Sequence, residues 1–168
     1  MDIINKRRSV RSFLPNPIEE EKIELLLRAA MQAPSARNQQ ACKYLVVKKR
    51  NILDKISDLL PNAKMVREAP LVIVVLIDQS VATTPHMMPQ DASSATTNIL
   101  LEATSLEIGS CWCGIYPNNE RMENLSKCLD IPKDYQVFSL IALGYPKDKD
   151  ALRFIDRFDR NKILSERR

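Results

Sequence analysis

"DASSATTNILLEATSLEIGSCWCG", residues 91 to 114, changes period partway along. Ala92, Ala95, Ile99, Leu100, Ala103 and Leu106 recur at helical spacing and predict a helix from about Gln90 to Ile108, with Gly109 placed for a left-handed C-terminal cap. So many small residues on one stripe suit a buried central helix that its neighbours approach closely. After Gly109, "SCWCGIY" (Ser110–Tyr116) reads as a strand in which Cys111 and Cys113 flank Trp112 and share a face. A buried helix feeding straight into a strand needs a sheet beside it.

The flanking segments supply that sheet. "APLVIVVLI" (Ala69–Ile77) carries a fully buried strand over Leu71–Ile77, "KYLVVKK" (Lys43–Lys49) is a β-branched run, and "YQVFSLIALGY" (Tyr135–Tyr145) is a last apolar strand. Helical period returns in "NILDKISDLLP" (Asn51–Pro61) and in residues 119–129. Asp2 can cap a short first helix through about Lys6. Asn16 with Pro17 starts a stronger one carrying Ile18, Leu25, Leu26, Ala29, Ala30 and Ala33, and Pro34 stops it. The pattern is an α+β fold, with helices packed around a sheet of about four strands.

The chain of 168 residues fits one domain, and its 45% apolar and 27% charged residues are those of an ordinary folded protein. No apolar run is long enough for a bilayer span, and no secretory pattern opens the chain, so a cytoplasmic location is the expectation. Cys42, Cys111, Cys113 and Cys128 form no zinc-type pair, and the one histidine, His86, lies outside any metal-ligand spacing, so no metal is expected and all four thiols are read as reduced.

Net charge is only +4, but it gathers at the two ends. "INKRRSVRSF" (Ile4–Phe13) sets Lys6, Arg7, Arg8 and Arg11 around Ser9. Residues 153–168 hold Arg153, Arg157, Arg160, Lys162, Arg167 and Arg168 against three acidic side chains. With three glycines in the chain there is no Gly-rich phosphate loop, so a phosphate would be held by side chains. Arginine offers planar bidentate donors and serine a neutral one, which suits "RRSVR" to a terminal phosphate; a solvated basic turn is the plainer alternative. "APSARNQQ" (Ala33–Gln40) follows a helix stop with donors and acceptors able to read the polar edge of a heterocycle, or forms an ordinary capped loop. Few aromatics (5%) and no helix-turn-helix, zinc or RNA-binding signature argue against a nucleic-acid partner.

Taken in order, "INKRRSVRSF", "LLLRAAMQAPSARNQQ", "DASSATTNILLEATSLEIGSCWCG" and "LIALGYP" followed by "DRFDRNKI" resemble the FMN-dependent nitroreductase family, in a short form, across nearly the whole chain. The resemblance implies a mixed central sheet of four to five strands in an intertwined homodimer, with two FMN sites between subunits. Arg7, Arg8, Ser9 and Arg11 would lie on the FMN phosphate and ribityl chain, with Arg160 and Lys162 closing over the phosphate. Pro34, Ser35, Ala36 and Asn38 would approach the flavin ring from the other subunit, Cys113 and Gly114 would meet it through main-chain atoms, and Asn62 is a further ring contact. Residues 147–168 would form an extension reaching over the partner, its Leu152, Phe154, Ile155 and Phe158 needing a surface to cover.

In such a protein the flavin takes hydride at N5 from NADH or NADPH and hands reducing equivalents to a small electron-poor acceptor such as a nitroaromatic or quinone. No catalytic side chain is then required, and none is assigned; Arg37 at a cavity mouth could attract nicotinamide phosphates, or be a plain surface arginine. Related readings are a reductive dehalogenase, a flavin-fragmenting enzyme, or a member that only binds flavin. The chain departs from the family pattern at Ala41 and Cys42, where proline and an aromatic are common, at Cys113, often Glu, and at Leu164, usually His. The short middle region leaves little room for a pocket lid.

Overall fold

The computed structural model describes residues 2–166; Arg167 and Arg168, two of the basic residues counted at the C-terminal end, lie outside the described residues. Five helices, α1 (Asp2–Lys6), α2 (Glu20–Met31), α3 (Arg50–Leu59), α4 (Met88–Ser105) and α5 (Asn119–Cys128), accompany four strands, β1 (Cys42–Val47), β2 (Leu71–Asp78), β3 (Gly109–Gly114) and β4 (Tyr135–Gly144). The strands lie in the order β1-β2-β4-β3, every neighbouring pair antiparallel. The mixed character expected of the sheet reduces to one parallel bridge, Ser9 to Ser110, along the outer edge of β3.

Helices cover both faces, so the two inner strands bury both sides and show no polar alternation. Leu71, Ile73, Val75 and Ile77 of β2 pack with Leu26, Ile99 and Ala103 of α2 and α4. Val72, Val74 and Leu76 face Leu53 and Ile56 of α3, Val66 of the 3-10 segment Pro61–Arg67, and Leu125 of α5. Cys111 and Cys113 share this second face, as their spacing predicts, and all four cysteines are free thiols. The small residues of α4 bring its backbone close enough for Thr96 Oγ1 to meet Ser139 Oγ of β4 at 3.0 Å, a buried pair of polar groups that satisfy each other.

Two expectations about helix ends are corrected. Residues 17–19 do not continue α2: Glu19 is extended (φ −64°, ψ 144°), the helix begins at Glu20, and Ile18 is buried as an apolar anchor ahead of it. Ala33 lies past the Gln32 cap. At the end of α4 the left-handed residue is Glu107 (φ 59°), not Gly109. Ile108 N donates to Ala103 O (2.7 Å) and Glu107 N to Thr104 O (3.2 Å), the paired bonds of a Schellman ending. Gly109 is needed for room instead, because a Cβ there would lie 2.9 Å from the Val10 side chain.

The N-terminal segment is sewn to both outer features of the sheet. Val10 N donates to Ser110 O of β3 (2.9 Å), Leu14 N to Tyr145 O (2.8 Å), and Lys147 N to Ser12 O (3.2 Å). Phe13, 1% exposed, fills the space above Gly144. Glu68 ties the seam, accepting from Lys147 Nζ (2.9 Å), Ser12 Oγ (3.4 Å) and Phe13 N (3.4 Å). These donors, Lys147 first, hold its carboxyl below the usual range. A lowered folded-state value adds stability that is complete above the unfolded value of about 4.3 and is lost as pH falls through the folded one. Glu68→Gln is therefore expected to flatten the fall in Tm between roughly pH 5 and pH 3, as read by thermal melts across that range.

Candidate functional site

The basic motif emerges from α1 and runs beside the outer edge of β3. Arg7 and Arg8 are half-buried, while Ser9 and Arg11 are exposed. Arg8 Nη1 donates to Arg7 O at 2.5 Å, but Arg8 Nε and Nη2 are buried without a partner among the described residues. Burial first, then the positive charges of Arg157, Arg7 and Arg153, hold the Arg8 guanidinium below its ordinary value. Guanidinium donors left unpaired beside further positive charge are suited to binding an anion.

The same edge carries the β3 residues singled out from the sequence. Cys113 is buried, its Sγ 3.8 Å from Met65 Sδ, and Gly114 is exposed with its carbonyl taking Arg121 Nη1 at 3.2 Å. Met65 belongs to the 3-10 segment that begins at Pro61, so exposed Asn62 lies one turn from the sulfur contact. Hydrogen bonding from the Cys113 thiol, helped by the charge of Arg11, lowers the Cys111 thiol against the effect of burial. Arg7, Arg8, Ser9, Arg11, Cys113 and Gly114 are thus gathered along one strand edge.

The loop after α2 lies elsewhere. It enters β1 at the opposite edge of the sheet, and Cys42 aligns through Ile77 with Gln136, whereas Ser110 aligns with Leu143. Those two β4 positions are seven residues apart (143 − 136), roughly 23 Å along a strand, and the edges are three strand spacings, about 14 Å, apart across the sheet. Within one chain, Pro34, Ser35, Ala36 and Asn38 are therefore diagonally remote from the basic motif.

What shapes that loop was not evident from the sequence. Asp91, in the first turn of α4 and 6% exposed, accepts from Ala36 N (3.0 Å) and from Gln39 Nε2 (2.6 Å). Gln39 Oε1 in turn accepts from Thr84 N (2.9 Å), and Ser35 Oγ from Gln40 N (3.1 Å). The bonds hold three non-glycine residues left-handed, Arg37 (φ 52°), Asn38 (φ 54°) and Gln40 (φ 47°), a conformation that side chains disfavour. Gln39, grouped with the heterocycle-reading residues, spends its amide internally, while Arg37 and Asn38 project as exposed groups. The signal for Asp91 was its place four residues before Ala95, on the buried stripe of α4. Beside the loop lies a cleft of about 510 Å3, lined by Pro34, Ser35, Cys42, Tyr44, Asp91 and Ala95 among others. Cys42, small where the family pattern has an aromatic, stands in its wall.

The terminal segment divides in two. Ala151, Leu152 and Ile155 are half-buried on the chain's own body, with Ile155 N donating to Asn5 O (3.3 Å). Beyond them Phe158 is 73% and Leu164 92% exposed, and Arg160 and Lys162 sit in an exposed 3-10 turn. Of the terminal basic residues, it is Arg153 and Arg157 whose charges reach Arg8.

Among the described residues no group of three His, Cys, Asp or Glu side chains could hold a metal ion, and no helix is long and apolar enough to cross a membrane. The chain matches the nitroreductase family over residues 4–63 and 57–145. A protein of Archaeoglobus fulgidus with the provisional name NADH dehydrogenase/NAD(P)H nitroreductase is 44% identical, over 99% of this chain and 97% of its own. A solved structure from Clostridium acetobutylicum, provisionally an NADH oxidase, is 43% identical with a TM-score of 0.95 over 99% of both chains. An FMN-dependent nitroreductase from Clostridium difficile R20291 is 26% identical with a TM-score of 0.90, over 99% of this chain and 98% of its own.

Proposed function

The chain belongs to the nitroreductase family, and from that premise we propose a cytoplasmic, homodimeric FMN-dependent oxidoreductase that uses NADH or NADPH to reduce nitroaromatics, quinones or similar electron-poor small molecules. The observation that carries the reading is the Arg8 guanidinium, with two buried donors unpaired and the positive charges of Arg157, Arg7 and Arg153 bearing on it. The donor set fits a phosphomonoester: bidentate guanidinium groups for its oxygens and the exposed Ser9 hydroxyl for one more bond.

When bound, FMN supplies hydride acceptance and donation at N5. The protein's part is positional. Arg7, Arg8, Ser9 and Arg11 would fix the phosphate end, with the terminal basic residues, Arg160 and Lys162 among them, closing over it. The β3 segment at Cys113 and Gly114, with Asn62 nearby, would lie along the ring. A main-chain donor near N5 or the neighbouring carbonyl would favour the reduced, anionic form. The diagonal separation of the Pro34–Asn38 loop from the basic motif supports a site shared by two copies, the loop approaching the ring from a second subunit. Of the extension proposed at residues 147–168, exposed Phe158 and Leu164 support the stretch beyond Ile155 as an arm lying over that partner.

The test is spectroscopic. The purified protein, reconstituted with FMN if necessary, is expected to show a bound-flavin spectrum that NADH or NADPH bleaches anaerobically, with colour restored by a nitroaromatic or quinone. A protein that stays colourless after incubation with FMN refutes the reading.

A further inference from the structure

We infer that Cys111, Cys113 and Met65 form a three-sulfur site for a soft monovalent metal ion, Cu+, between β3 and the 3-10 segment Pro61–Arg67. The inference stands apart from the flavin reading, since it needs only these three side chains.

Alternation along β3 puts Cys111 and Cys113 on one face of the sheet, and their thiols are hydrogen-bonded to each other. Met65 brings its thioether to the same point, with Sδ 3.8 Å from Cys113 Sγ. Three sulfurs arranged in a plane around one ion, at metal–sulfur distances of about 2.3 Å, stand about 4 Å from one another. The contact between Cys113 and Met65 therefore already has the spacing of a loaded site.

A disulfide would use the two cysteines poorly. Same-face neighbours on a strand lie about 6.7 Å apart at Cα, the far limit of a disulfide's span. An ion placed between the sulfurs joins them while the strand stays regular, and β3 does keep its register here, Cys111 opposite Ala142 and Cys113 opposite Leu140.

The donor set selects the ion. Zinc takes four ligands from thiolate, imidazole and carboxylate groups, and among the described residues no His, Asp or Glu completes such a set. Two thiols and a thioether are soft ligands, which favour Cu+. Zinc-type spacing takes no account of methionine, so this cluster leaves no mark in the sequence. On binding, the ion displaces one proton from each thiol and leaves a singly negative complex. The positive charge of Arg11 bears on both sulfurs and favours that product. Both cysteines are buried, but Met65 is only half-buried, so the ion has a way in past the thioether.

The experiment is anaerobic titration of the full chain with Cu+ buffered by bathocuproine disulfonate, followed by X-ray absorption at the copper edge. One Cu+ per chain is expected, with three sulfur neighbours at about 2.3 Å. Met65→Leu conserves volume and is expected to fold normally, to bind roughly tenfold more weakly and to show two sulfur neighbours. Cys111→Ser, checked for folding by circular dichroism, is expected to weaken binding by roughly 100-fold or more. The double variant C42S/C128S, which lacks the other two thiols, should bind as the wild type does. Failure of the wild-type chain to bind Cu+, three sulfur neighbours in Met65→Leu, wild-type affinity in Cys111→Ser, or loss of binding in C42S/C128S would each overturn the proposal. Should Cys111→Ser not fold, the sulfur count in Met65→Leu decides alone.

Discussion

Replacing Asp91 with alanine is expected to cost roughly 2–4 kcal/mol of folding stability, because it strips Ala36 N–H of its acceptor and leaves the half-buried Gln39 amide only a long bond to Thr84 O (3.4 Å). Flavin binding should weaken in parallel. The loop that Asp91 pins holds Arg37, Asn38 and Gln40 at positive φ, and without the carboxylate these residues relax toward ordinary backbone. Asp91→Asn should cost about half as much, since one acceptor oxygen cannot serve both donors, and Gln39 cannot turn its own oxygen round without abandoning Thr84 N. Adding Gln39→Glu to Asp91→Asn restores the polarity: the new amide donates to the new carboxylate, which still accepts from Thr84. Urea unfolding of the four proteins, alongside FMN titrations, checks the series. A double variant no more stable than Asp91→Asn would show that the loop is held by something else.

Phe13→Ala is expected to lose about 3–5 kcal/mol, a large part of the total stability of a domain this size. Its ring is 1% exposed and occupies the space left open by Gly144. The effect should reach the basic motif, because the contact at Phe13 and the bond from Val10 to Ser110 are what keep Arg7, Arg8, Ser9 and Arg11 in register with β3. Gly144→Ala approaches the same contact from the other side: its Cβ would lie 2.9 Å from Phe13 Cδ1 and 2.7 Å from Pro70 Cδ. The double variant should be less destabilised than the sum of the single ones, since the smaller side chain at 13 relieves part of the collision. Denaturant midpoints for the cycle decide it; strict additivity would mean that the two residues do not share one site.

The strands and long helices were legible because burial imposes a spacing that composition cannot hide. The strand expected at Leu71–Ile77 is found at Leu71–Asp78, and the helix expected at about Gln90–Ile108 at Met88–Ser105. Ends were harder to read, because one residue type serves several purposes. Gly109 resembles a helix cap, yet what it provides is absence of bulk beneath Val10, and Glu107 bears the left-handed turn. Pro17 resembles a first helical residue, yet Ile18 finds more burial in an extended lead-in than in a first turn.

At the site, the arginines around Ser9 stood out, since four cations in six positions with no acid among them have few structural uses. Which terminal arginines bring their charge to Arg8 could not be read from spacing. The tail has no regular period, and its path is set by the packing of Ala151 and Leu152 on the core and by the bond from Ile155 to Asn5. Asp91 was hidden for another reason. An acid in the first turn of a helix is ordinarily explained by the helix dipole, so its grip on a loop 52 to 55 residues away in sequence leaves no local mark.

The strand order has a consequence for synthesis. β4 is the last strand to leave the ribosome, yet it occupies an interior place, and β3 has no other full-length partner. From the emergence of Gly114 to that of Gly144 the nascent chain must carry an apolar strand with nothing to pair with, for roughly 2–6 s at ordinary elongation rates. The segment around Phe13 waits longer still, because Phe13 cannot seat until Gly144 and Pro146 arrive. Vectorial folding therefore stalls at the β1–β2 pair, and the remainder closes in one late event that draws opposite ends of the polypeptide together.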